Sequence, residues 1–108
     1  MYLTQFSYTP ETWANLIANP EDRRESLEPI AEAAGAKLHG FWYAFGEVDG
    51  YVLVEAADDV VSASVLVKVA STGAFSKIAT TKLLTVEETL DALRRASDIG
   101  YRPPGAGA

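Results

Sequence analysis

The chain has 108 residues, 15 of them acidic and 9 basic, for a net charge of −6. It has no cysteine and a single histidine, His39. Disulfides, thiol nucleophiles, iron–sulfur clusters, cysteine-ligated zinc and any intrachain two-histidine metal motif are therefore excluded. An acidic chain without a basic run is repelled by phosphate backbones and anionic bilayers, so neither nucleic acid nor membrane is an expected partner. No metal or other cofactor is expected.

Residues 2–8, YLTQFSY, alternate apolar and polar side chains and predict a first strand. Thr9, Pro10 and Glu11 then supply an N-cap, a proline at the first helical position and an acid in the first turn. This short helix runs through Trp13, Leu16 and Ile17. NPEDRRE restarts it, with Asn19 as cap, Pro20 at the first position and Asp22 two residues further on as in a capping box. Leu27, Ile30, Ala31 and Ala34 fall on one face, Pro29 is expected to kink the helix, and Gly35 ends it.

AKLHGFWYAF (36–45) and YVLVEA (51–56) predict two strands joined by a hairpin loop from Gly46 to Gly50. If Phe45 lies opposite Tyr51, Leu38, Gly40, Trp42, Ala44, Val52, Val54 and Ala56 share one face. Lys37, His39, Phe41, Tyr43, Phe45, Tyr51, Leu53 and Glu55 share the other. Residues 58–73 predict a helix capped by Asp58 and closed by Gly73, being too long for one strand. Residues 74–84 form the last strand, and Thr85 with Glu88 opens a terminal helix through Leu90 and Leu93.

The order β-α-β-β-α-β plus a helix predicts an α+β fold, the ferredoxin-like βαββαβ plan with a four-stranded antiparallel sheet and helices on one face. Residues 1–97 form one domain, and residues 98–108 a flexible tail rich in proline and glycine. Both faces of the central hairpin are apolar, yet the helices cover one. The open face is expected to meet a second copy, giving a homodimer or higher homo-oligomer. The N-terminal MYLTQFSYTP has neither a basic n-region nor an apolar h-region. VVSASVLVKVA is short and carries Lys68, so a cytoplasmic protein without a bilayer span is expected.

NPEDRRE followed by GAKLHGFWYAFGEVDGYVLVEAADD resembles the GYD-domain family, named for a Gly-x-Tyr-Asp signature ahead of a valine-rich strand ending in Glu-Ala-x-Asp-Asp. Gly46, Glu47, Val48 and Asp49 stand at the signature, with valine in place of its tyrosine. The resemblance implies a dimeric α/β-barrel association. That architecture includes cofactor-free monooxygenases, haem-degrading enzymes, lactone isomerases and ligand-sensing domains, so the fold alone does not select an activity.

Glu47 and Asp49 are two carboxylates close in sequence, as an acid–base pair requires. Gly-Glu-Val-Asp-Gly is also what a hairpin turn uses, with glycines for positive φ and an aspartate bonding backbone two residues on, and the turn is the preferred reading. His39 lies diagonal to Glu55 on the expected register, with Phe41 and Tyr43 further along its face. It is either a general base held by a carboxylate or a strand-end histidine at an interface. Arg23 and Arg24 either hold a ligand carboxylate or pair with neighbouring acids.

Two functions follow. One is binding of a small apolar or aromatic metabolite, with Phe41, Tyr51 and Trp13 as the contacts. The other is a cofactor-independent monooxygenase- or isomerase-like enzyme using His39 as base, with Tyr43 and Glu55 as the other catalytic residues.

Overall fold

A computed structural model describes residues 1–105. The elements are β1 (Tyr2–Tyr8), α1 (Pro10–Ala18), α2 (Arg23–Ala33), β2 (Ala36–Tyr43), β3 (Gly50–Ala56), α3 (Asp59–Ala70), β4 (Phe75–Lys82) and α4 (Val86–Ala96). The last three residues of the expected tail lie outside the described residues.

Local chemistry sets the helix starts. The Thr9 hydroxyl accepts from the Thr12 N–H at 3.1 Å, with Pro10 at the first helical position, where its missing N–H costs nothing. Asp58 accepts from the Val61 N–H at 2.9 Å. Thr85 and Glu88 form a reciprocal capping box with both bonds at 3.0 Å. The start of α2 differs from expectation: its cap is Asp22, and Asn19 instead closes α1. The Asp22 carboxylate bonds both the Arg24 N–H (3.0 Å) and its guanidinium (2.8 Å), so the competent cap sits three residues later. Gly35 and Gly73 take φ of +82° and +76° just past α2 and α3, as helix-terminating glycines do.

The sheet order is β2-β3-β1-β4, antiparallel throughout, as the split βαβ plan requires. Phe6 of the central strand β1 is 2% exposed and is the centre of the core, with Tyr8 and Val52 buried beside it. Leu27, Leu38, Phe41, Phe75 and Ile78 pack around them.

The hairpin register departs from expectation. Tyr43 lies opposite Gly50 and Phe41 opposite Val52, whereas Leu38 lies opposite Val54 and Lys37 opposite Glu55. The register shifts between Leu38 and Gly40, so His39 is an extra residue with no partner on β3: a β-bulge. The bulge reverses the alternation half way along β2. Leu38 faces the helices and so do Phe41 and Tyr43, while Lys37, Gly40 and Trp42 face away with Tyr51, Leu53 and Glu55. The expected face sharing therefore holds for Leu38 with Val54 and for Lys37 with Glu55, and it fails for Phe41, Tyr43, Gly40 and Trp42.

Candidate functional site: an apolar cavity between sheet and helices

The alternation of β1 brings Tyr2, Thr4, Phe6 and Tyr8 to the helix-covered face of the sheet. Phe41, Val52, Val54 and Ile78 join them from the neighbouring strands to make a floor. Leu27 and Ile30 of α2, with Val65, Leu66 and Val69 of α3, form the roof. Between floor and roof lies a cavity of about 300 Å³. The roof closes incompletely, since α1 and α3 contain no buried residue and α2 contains only Ala31.

Polar contacts flank the cavity, outside its lining at the Tyr2 end and within it at the Tyr8 end. At one end the buried Tyr2 hydroxyl donates to Asp59 Oδ1 at 2.5 Å, and Lys82 Nζ meets the same oxygen at 2.8 Å. Lys82 also lies 6.0 Å from the Tyr2 ring centroid. The hydrogen bond from Lys82, then that from Tyr2, holds the Asp59 carboxyl below its usual range. This contact fastens the start of α3 to the sheet.

At the other end the Tyr8 hydroxyl lies 3.3 Å from that of Tyr43. Burial first, and then the Tyr43 contact, push the Tyr8 phenol well above its ordinary value of 10.0, so it keeps its proton as a donor. Arg23, which lines the cavity with Tyr8, acts on it in the opposite direction. In mid-floor the Thr4 and Thr80 hydroxyls pair at 2.7 Å.

Of the residues singled out from sequence, Phe41 lines the cavity and stacks with Phe6 and Tyr43 at centroid distances of 5.5 and 5.2 Å. Tyr43 reaches the polar end through its hydroxyl. Trp13 packs edge-on against Tyr8 at 5.1 Å and donates its Nε1–H to Asp49 at 3.0 Å, so it supports the wall without lining it. His39 Nε2 does lie 3.3 Å from Glu55 Oε1, as the diagonal predicted. That pair sits on the open face with Tyr51, however, away from the cavity and from Tyr43. The expected grouping of His39 with Phe41 and Tyr43 is thus corrected by the bulge.

The signature loop also reads differently. Asp49 Oδ2 accepts from the Tyr8 N–H at 2.9 Å as well as from Trp13, and Asp49 N–H donates to the Phe6 carbonyl at 2.8 Å. Its bonds are tertiary rather than to backbone two residues on. Neither Gly46 nor Gly50 has positive φ. Gly50 is required because the Phe6 ring lies where a side chain would start. Val48, at the tyrosine position of the signature, is buried, and Glu47 is exposed.

Sequence reasoning missed Lys68 and Thr72 as cavity residues. Gly40 inside an apolar strand pattern was the available mark of a bulge. Among the described residues no group of three or more His, Asp or Glu is placed to hold a metal, and no helix is long and apolar enough to cross a membrane.

Fold and cavity define an α+β domain of ferredoxin-like topology with an apolar chamber under its helices. The chain belongs to the GYD domain family, whose sequence model matches residues 2–93. No curated protein and no solved structure matches it.

Proposed function

We propose that this GYD domain protein is a cytoplasmic homo-oligomer that binds a small apolar ligand between its sheet and its helices. The observation that carries the reading is the cavity itself: about 300 Å³, floored by Phe6, Phe41 and Val52 and roofed by Leu66 and Val69. That volume lies at the small-molecule end of known binding sites, which are mostly apolar with a few polar groups at fixed places. N-phenyl-1-naphthylamine, whose fluorescence rises in apolar surroundings, should bind once per chain. Leu66→Trp, which fills the chamber, should abolish that signal, while His39→Ala on the opposite face should keep it. Equal signals from the wild type and Leu66→Trp would remove the cavity from the account.

The oligomer is supported by apolar surface that the single chain leaves uncovered. Trp42 on the open sheet face is 53% exposed, α3 turns Val60 and Val67 outward, and α4 exposes Leu90 and Leu93. A helix with valines on its outward side as well as its inward one, as α3 has, normally buries both. The His39–Glu55 pair favours one second reading, an enzyme that uses His39 as base with Tyr51 on the same sheet face. Because the chamber lies on the other side of the sheet, that reading needs a second copy to enclose the open face.

A further inference from the structure

The cavity is apolar along its length and cationic at one end. β1 and β2 both finish at that end, α2 begins there, and α3 finishes there. The topology therefore gathers Tyr8, Tyr43, Arg23, Lys68 and Thr72 around one mouth. Among the described residues, Arg23 and Lys68 are the charged ones that line the chamber, and no aspartate or glutamate does. In a chain with 15 acids against 9 bases, a lining with cations alone is a local reversal of charge.

Arg23 has partners of its own: Nη1 meets Glu21 Oε1 at 2.9 Å and Ser26 Oγ at 3.2 Å. Both bonds use Nη1, which leaves the other donors of the guanidinium fork unengaged by them. Lys68 is in no ion pair among the described residues. It sits in the last turn of α3 with Thr72 just beyond. The Tyr8 hydroxyl adds a neutral donor at the same mouth.

Resting on the cavity reading above, we infer that the ligand is an apolar carboxylic acid, its hydrocarbon body in the chamber and its carboxylate at the mouth against Arg23, Lys68 and the Tyr8 hydroxyl. A carboxylate suits this set because it accepts from a guanidinium fork, an ammonium and a phenol at once. A neutral apolar molecule would leave Lys68 without a counter-charge and the free side of the Arg23 fork without an acceptor. An amine would meet them with like charge.

The test compares decanoate with decanol and decylamine, which share one chain and differ in the head group. Displacement of N-phenyl-1-naphthylamine should rank decanoate first, tighter than decanol by about tenfold, with decylamine weakest. The double variant R23Q/K68Q should weaken decanoate by about tenfold while leaving decanol within about twofold, which also reports that the chamber remains formed. Decanol binding as tightly as decanoate, or a preference that survives R23Q/K68Q, would overturn the carboxylate assignment while the cavity reading stands. Failure of the naphthylamine probe and all three chains to bind would overturn both.

Discussion

The carboxylate of Asp49 accepts hydrogen bonds from groups 41 and 36 residues away in sequence, the Tyr8 N–H and the Trp13 indole. One of these is the backbone N–H of Tyr8, the last residue of β1, which lies past the end of the pairing with β3 at Phe6 and Gly50. Asp49 thereby joins β1, α1 and the hairpin loop below the cavity mouth. Asp49→Ala should lower unfolding stability by about 1–3 kcal/mol, because it strips the acceptor from both donors, as urea denaturation would measure. Asp49→Asn, which keeps one acceptor oxygen, should lose less. A pair of equally mild variants would show that water replaces the carboxylate without cost. The sequence pointed to a turn here, through Gly and Asp in a hairpin, although neither glycine has positive φ. It could not show that the bonds are tertiary, since Tyr8 and Trp13 come near Asp49 only through sheet pairing.

Elements were legible wherever their signal was local. Thr9-Pro10, Asp58, Thr85-Glu88 and the two terminating glycines each fix a helix end through atoms a few residues apart, and three of the four helix starts fall where these signals put them. The register of β2 on β3 was only hinted at, by Gly40, because where a bulge falls depends on which strand lies opposite. His39 therefore stayed with Glu55 while Phe41 and Tyr43 moved to the helix side. At the other end of the sheet, α3 is fastened by Asp59 to Tyr2 and Lys82. The folded Asp59 carboxyl lies below its usual 3.8. Its contribution is therefore complete above about pH 4 and is lost as pH falls through the depressed folded value. Asp59→Asn should remove that part of the acid sensitivity, with thermal melts of the two proteins converging toward pH 2 and separating above pH 4. Parallel curves across that range would deny the Asp59 contact any part in holding α3.

At the scale of the whole molecule the chain is long for its size. A compact domain of 108 residues has a radius of gyration of about 13 Å, whereas this chain spans 65 × 32 × 22 Å with a radius of 18.4 Å. Every residue from Leu84 to Gly105 is exposed, so α4 and the segment after it stand apart from the body. Val86, Leu90 and Leu93 fall on one face of α4, and an apolar stripe left in water favours association by roughly 1.5–3 kcal/mol per buried side chain. Sedimentation at micromolar concentration should find an oligomer, and Leu90→Glu with Leu93→Glu should release monomer. A wild type that sediments as monomer would leave the stripe without a partner of its own kind. The incomplete roof over the cavity has a further consequence, which concerns turnover. With almost no helical side chain buried, a bound ligand would supply packing that the polypeptide lacks. Any molecule bound only by the folded form adds stability by mass action, about 2.7 kcal/mol at a hundred times its dissociation constant. Empty copies would then open more often and be the ones that proteases remove first. The steady amount of this protein in a cell would follow the supply of its ligand without any change in its synthesis.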